Sequence, residues 1–270
     1  PHVRKYAQCM KILVTVTEVA DADDEFEISG TSIADQYLTY DLNEWDDYAI
    51  EEAVQLSEEH DDIEVVTVTF GAERVEETIR TALAKGADRA IRVWDDSFEG
   101  KTVLDPSQKA ELLAGVVEEE DPDLVLSGVQ SGDVAIGATG VALAENIGYE
   151  WAAVVNQLDL DRDSGVASIH RELEGGVEEL TDVELPAVLT IQTGINEPRY
   201  ASLRGIRQAQ SKPLDVMSPD DLGVEVGESA IELTELVEPE SESDTELFEG
   251  SAEEAAGQLA EYLREQGVGA

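Results

Sequence analysis

The residues with the clearest chemical potential lie in a loop that follows an apolar run ending at Thr193. The β-branched residues from 187 to 193 predict a buried strand, and Gly194 predicts a turn at its carboxyl end. The loop then places an aliphatic residue, Ile195, near a permanent cation, Arg199. Loops at the carboxyl ends of strands in open α/β sheets bind ligands and partners. The alternative is a structural turn in which Arg199 pairs with a nearby carboxylate.

A second candidate site is the glycine-bearing loop 127–140, which reads SGVQSGDVAIGATG. It follows a strand pattern and precedes a helical one, so its backbone N–H groups and the helix dipole favour a phosphate. We predict Asp133 as the N-cap of that helix, with Ser131 and Thr139 offering hydroxyl groups. The loop matches neither the Walker pattern nor G-x-G-x-x-G, and close packing of helix on sheet explains the small residues equally well.

A catalytic constellation is not recognisable in the sequence. His2, His60 and His170 lack the spacing of metal ligands, and no acid–base pair stands out among 62 carboxylates. The only cysteine, Cys9, excludes an intrachain disulfide and favours a reducing compartment. The residues alone therefore single out no catalytic group.

The charge balance is extreme, because 62 acidic residues against 17 basic ones give a net charge of −45. Hydrophobic residues still make up 42% of the chain, which indicates a folded protein. Such a surface repels nucleic acid and anionic membranes. It predicts a halophilic protein, since molar salt screens repulsion between carboxylates; a strongly basic partner is the alternative. No apolar run reaches the roughly 18 residues that span a bilayer, so we expect no membrane insertion and a cytoplasmic location.

Alternating strand and helix patterns in the first half predict an α/β fold with a doubly wound, Rossmann-like parallel sheet. Strands are expected at 11–17, 63–70, 89–94 and 123–127, with an acidic loop before Asn43. Helices are expected from Asp46 or Asp47, over 72–85, from Asp105–Pro106 to about 119, and over 133–146. Beyond Pro213 no further regular alternation is expected.

The second half predicts an appended antiparallel ribbon, with strands at 152–160, 166–173 and 177–183. We expect an N-terminal extension over 1–9, a nucleotide-binding α/β domain over 10–217, and a C-terminal arm over 218–270. The arm combines an acidic linker from 238 with a capping box at Ser251 and a helix whose apolar face includes Leu259, Tyr262 and Leu263. That face packs either on its own domain or on a second subunit.

Several segments, in order, resemble the electron transfer flavoprotein β-subunit family over roughly residues 10–265. They are Lys11-Ile-Leu-Val, Asn43 with Glu51-Glu52-Ala53, the loop 128–140, Arg171 with Gly175-Gly176, and Asn196-Glu-Pro-Arg-Tyr200 with the three residues after it. The resemblance implies a heterodimer whose α subunit holds most of the FAD. It also implies a β-subunit pocket that holds AMP or, in electron-bifurcating relatives, a second FAD.

The resemblance further implies which residues form the sites. The adenine side would be lined by Val16, Thr17, Glu18, Asn43, Val68, Thr69 and Phe70. The phosphate would lie on Gly128, Gln130, Asp133, Thr139 and Gly140. A recognition loop of Ile195, Asn196, Glu197, Pro198, Arg199 and Tyr200 would bind partner dehydrogenases, with Ile195 entering an apolar socket. Ala135 and Ala138 depart from the family pattern, because polar residues are usual there.

The implied function is an electron-carrier subunit. It would pass electrons from acyl-CoA dehydrogenase-like donors in fatty acid oxidation, through FAD at the αβ interface, to a membrane quinone reductase. One alternative is a bifurcating flavoprotein with a second FAD in the β pocket. Another, from a different class, is a nucleotide-sensing α/β module without redox partners.

Overall fold

The computed structural model describes residues 9–60, 62–98, 105–225, 227–238 and 246–267. They form two compact units, one extending to Leu236 and one beginning at Val237. The predicted N-terminal extension, apart from Cys9, and most of the predicted acidic linker lie outside the described residues.

The described strands and α-helices alternate between residues 38 and 147. The strands are β1 (Met10–Thr15), β2 (Glu18–Ala22), β3 (Ile28–Ser29), β4 (Ser32–Ile33), β5 (Leu38–Leu42), β6 (Ile63–Phe70), β7 (Arg89–Val93), β8 (Leu124–Gly128), β9 (Glu150–Val155), β10 (Gln157–Asp161), β11 (Val166–Leu173), β12 (Val177–Glu184), β13 (Ala187–Ile191) and β14 (Leu214–Met217). The α-helices are α1 (Glu44–Glu59), α2 (Glu76–Lys85), α3 (Pro106–Glu120), α4 (Thr139–Ile147), α5 (Leu203–Ala209) and α6 (Ala252–Glu265).

Seven strands form a parallel sheet in the order β14-β7-β6-β1-β8-β13-β9. Strand β1 lies at the centre of the sheet, and its successive side chains point alternately into two buried layers. Ile12 belongs to one apolar cluster with Ile50 of α1, while Leu13 belongs to another with Leu112 of α3 and Leu143 of α4. Burial on both faces explains the continuous apolar run of this strand. The predicted doubly wound α/β fold is confirmed.

Helix α1 begins earlier than predicted, because Asn43 rather than Asp46 or Asp47 is its N-cap. Asp46 is instead fully inside the fold, where its carboxylate accepts hydrogen bonds from the backbone of Thr17 and Gly128. The prediction was wrong because a local cap pattern does not reveal a carboxylate recruited by distant strands.

Helix α4 begins at Thr139, so the predicted start at Asp133 was wrong. Ala135 and Gly137 have positive φ angles of 52° and 66°, which interrupt a helical backbone. The N-cap residue is Ala138, which has no side chain able to accept from the first turn. The segment 129–138 is therefore an irregular loop with an uncapped helix behind it.

The remaining differences concern short elements. The acidic stretch before Asn43 is not a simple loop, since β2 pairs with β5 and β3 pairs with β4 in two antiparallel pairs. Alternation also continues past Pro213, because β14 joins the sheet edge beside β7. The predicted strand 152–160 is divided between β9 in the main sheet and β10 in the ribbon, with Val154 at a φ of 62°. These strands are too short to show a clear period of two.

The antiparallel ribbon and the capping box predicted for the second half are confirmed. Strands β10, β11 and β12 form a three-stranded antiparallel sheet. In the second unit, Ser251 and Glu254 form the predicted capping box at the start of α6. The Tyr262 ring meets Phe248 edge-on at a centroid distance of 5.9 Å, while Leu259 and Leu263 are exposed on the same helix.

Candidate functional site

A cavity of about 310 Å³ lies at the carboxyl ends of β1, β6 and β8. This edge of an open α/β sheet is the usual place for ligands. The structure brings most of the predicted nucleotide-site residues together in its lining: Val16, Thr17, Glu18, Asn43, Val68, Phe70, Gly128, Gln130, Asp133 and Thr139.

Thr69 and Gly140 are not part of this lining, although both are neighbours of residues that are. Thr69 is buried within β6. Gly140 lies where a Cβ would approach Cγ2 of Thr190 at 2.7 Å, so it allows α4 to pack closely on β13. Close packing of helix on sheet, the alternative to phosphate binding, therefore explains the glycine at position 140.

Asp46 lines the cavity, and the sequence analysis did not predict it as a site residue. Its Oδ2 accepts from the Thr17 backbone N–H at 2.8 Å and its Oδ1 from that of Gly128 at 2.9 Å, which ties together the ends of β1 and β8. Burial raises the pKa of this carboxyl to about 6, against the lowering effect of those hydrogen bonds. A Cβ at Gly128 would lie 2.6 Å from Asp46 Oδ1, so this contact requires glycine.

Asn43 orders the loop that follows β8. Its Nδ2 donates to the backbone oxygen of Gln130 at 2.9 Å, and its Oδ1 accepts from the N–H of Gly132 at 3.2 Å. The side chain predicted to face adenine thus also fixes the conformation of the loop predicted to hold phosphate.

The walls of the cavity are partly apolar. Val16, Val68, Phe70 and Leu113 contribute aliphatic and aromatic surface. Beside them the Trp94 and Phe98 rings lie edge-to-face with centroids 5.7 Å apart. Apolar walls with a few polar groups at one end of the cavity suit a flat ring as ligand.

Two cations line the cavity, and the sequence prediction singled out neither. Arg74 pairs with Glu18 and lies 3.6 Å from the centre of the Tyr40 ring, so its charge is compensated. Lys109, on α3, has neither an ion pair nor a side-chain hydrogen bond with the residues that the structure describes. Helical spacing gives no signal that this residue would face a cavity.

The loop after β13 is fixed on helix α1. Asn196 Nδ2 donates to Glu52 Oε2 at 2.9 Å and to the Tyr48 backbone oxygen at 3.1 Å. Arg199 pairs with two carboxylates, as the structural alternative expected. Ile195 is half-buried and packs against the main apolar cluster, whereas Tyr200 is 98% exposed.

Within the described ranges, no cluster of three or more histidine, cysteine, aspartate or glutamate side chains is arranged to hold a metal ion. The same ranges contain no helix with the length and apolar character needed to cross a bilayer.

Comparison with known proteins decides the family. Residues 30–222 match the family model described as the electron transfer flavoprotein domain, which is more than half of the chain. The chain belongs to the electron transfer flavoprotein family. The resemblance inferred from the sequence is confirmed, and within the family the chain is a β subunit.

Its relatives match over most of their length. The electron transfer flavoprotein subunit beta of Methylophilus methylotrophus is 44% identical over 264 residues, covering 95% of this chain and 98% of the relative. The human protein of that name is 37% identical over 219 residues, covering 80% and 84%. The one from Syntrophomonas wolfei is 32% identical over 255 residues, covering 94% and 96%.

Proposed function

We propose that this β subunit forms a heterodimer with an α subunit and carries electrons from dehydrogenases to a quinone reductase. FAD at the αβ interface would supply the redox chemistry. Acyl-CoA dehydrogenase-like donors would place this transfer in fatty acid oxidation. The observation that carries the proposal is the cavity at the ends of β1, β6 and β8 in a chain of this family.

The cavity residues fit an adenine nucleotide. Apolar walls from Val16, Val68 and Phe70 suit a base, and the first N–H groups of α4 lack partners within the helix. The uncapped end at Ala138 leaves those groups for an anion. Glu18 does not oppose this fit, since Arg74 neutralises it. We infer that AMP, or the adenylate part of a second FAD, binds there.

The chain's own residues would then have two tasks. Asp46 and Asn43 hold the loop after β8 in the shape that faces the nucleotide. Loop 195–200, fixed on α1, would present Ile195 and Tyr200 to a dehydrogenase. Because the loop is ordered before contact, less conformational entropy is lost on docking.

The C-terminal arm over 218–270 would contact the α subunit through α6. This proposal is supported by α6 itself, a capped helix with Leu259, Tyr262 and Leu263 at least partly exposed on one face. A helix of 14 residues is marginal alone in water, so an apolar face of this kind favours a partner surface.

Co-expression with the α subunit tests the proposal. The expected result is a heterodimer whose bound flavin is reduced by an acyl-CoA dehydrogenase and its substrate, and reoxidised by a quinone reductase. The dehydrogenase without substrate is the control. A chain that stays monomeric and never acquires flavin contradicts the proposal and favours a nucleotide-sensing module.

A further inference from the structure

Lys109 is a half-buried cation that faces the cavity without a bonded partner among the residues that the structure describes. Its charge is attracted at longer range by Asp133 and Asp46. Burial nevertheless lowers the pKa of its ammonium group, because the desolvation outweighs that attraction.

The other described lysines all have bonded partners. Lys11 pairs with Glu120 at 2.7 Å and Lys85 with Asp47 at 2.6 Å. Lys212 donates to three backbone oxygens at and just beyond the end of α2. In a chain with 62 acidic residues, a lysine that faces a cavity without such a bond is therefore distinctive.

Asp133 attracts Lys109 only at longer range, and two other charged groups of the cavity are already engaged. Both oxygens of Asp46 accept backbone hydrogen bonds, and Arg74 is engaged by Glu18. The loop after β8 offers no compensating side chains at Ala135 and Ala138. A half-buried ammonium group costs free energy unless an anion meets it, and a phosphate has the charge and acceptors to do so.

We propose that Lys109 binds a phosphate of the adenine nucleotide in this cavity and supplies the positive charge that the loop side chains lack. This rests on the proposed function, since it names the residue that recognises the anionic part of that ligand. The phosphate belongs either to AMP or to the pyrophosphate of a second FAD.

Calorimetric titration of the nucleotide-free αβ heterodimer with AMP, FAD and adenosine tests this role. The variants are Lys109→Met, which keeps the length without the charge, and Lys109→Arg, which keeps the charge. Arg207→Met, at an exposed position outside the cavity lining, is the matched control. We expect Lys109→Met to weaken binding of the phosphate-bearing ligand by about tenfold or more, with adenosine unaffected. Lys109→Arg should retain most of the affinity.

Thermal melting of the nucleotide-free heterodimer adds a second readout. Lys109→Met should melt at the same temperature as the parent or higher, because it removes an uncompensated buried charge. A lower melting temperature would assign Lys109 a structural pairing with Asp133 and overturn the proposal. Equal loss of AMP and adenosine affinity, or no loss of either, overturns it too. If the parent binds none of the three ligands, the nucleotide pocket itself is refuted.

Discussion

The carboxylate of Glu51 accepts hydrogen bonds from both the backbone and the guanidinium group of Arg199, 148 residues further along the chain. Arg199 Nε lies 2.8 Å from Oε2 and Nη2 lies 3.0 Å from Oε1, while the backbone N–H reaches Oε2 at 3.1 Å. Burial alone would raise the pKa of Glu51, but the hydrogen bonds from Arg199 outweigh it and lower the pKa. This relationship fixes the loop after β13 on helix α1.

Removing the guanidinium should therefore destabilise the protein. We expect Arg199→Met to lower the free energy of unfolding by roughly 2 kcal/mol, because it leaves the buried Glu51 carboxylate without its charged donor. Urea denaturation in concentrated KCl measures this, with exposed Arg207→Met as the control. An equal, small effect for both variants would show that the ion pair does not hold the loop.

The buried carboxyl of Asp46 should impose a pH dependence of its own. Its pKa is raised from 3.8 to about 6, so between these values the native state binds more protons than the unfolded state. Stability from this group therefore falls as the pH rises. We expect the unfolding free energy of the parent, relative to Asp46→Asn, to drop by roughly 1 kcal/mol between pH 5 and pH 7. A difference that stays constant over this interval would contradict the burial of an ionisable group there.

Substitutions of Ile195 and Tyr200 should have different effects on electron transfer and on stability. Ile195→Ala should slow electron transfer from dehydrogenase to flavin with flavin content intact, and should cost roughly 1–2 kcal/mol of stability because the side chain is half-buried. Tyr200→Ala should leave stability within about 0.5 kcal/mol, since Tyr200 is exposed. Rates of flavin reduction, flavin absorbance and denaturation midpoints separate these effects. Loss of flavin in Ile195→Ala would mean that the loop is only structural.

The acidic surface predicts strong stabilisation by salt. With a net charge of −45, self-repulsion among carboxylates weakens as KCl rises from dilute to molar concentrations. The melting temperature, followed by circular dichroism, should increase across that series, and sucrose at matched osmolality is the control. A melting temperature that does not change with KCl concentration would contradict the halophilic interpretation and favour a basic partner.

Local patterns predicted the sheet because its strands are apolar runs between good helix signals. Alternation of Ile12 and Leu13 between two clusters is the structural counterpart of that pattern. Helix α2 also ends at Lys85, the predicted last residue, and Gly86 follows it at a φ of 144°.

The site was only partly predictable, because its missed residues act through tertiary contacts. Asp46 looked like a cap, yet it accepts from the backbone N–H of Thr17, which follows β1, and from that of Gly128, at the end of β8. Lys109 lies in an ordinary helical pattern, and only the packing of α3 turns it toward the cavity. The start of α4 depended on a positive φ at Ala135, a residue type that gives no local warning.

The count of cofactors in the purified αβ heterodimer tests the central claim most directly. Denaturation, followed by chromatography and mass spectrometry of the released nucleotides, gives the moles of FAD and AMP per heterodimer. We expect one FAD and one AMP. Two FAD and no AMP would assign the cavity to a second flavin, as in a bifurcating flavoprotein. A heterodimer that releases no adenine nucleotide beyond the α subunit's FAD would contradict the claim that the cavity at the ends of β1, β6 and β8 binds one.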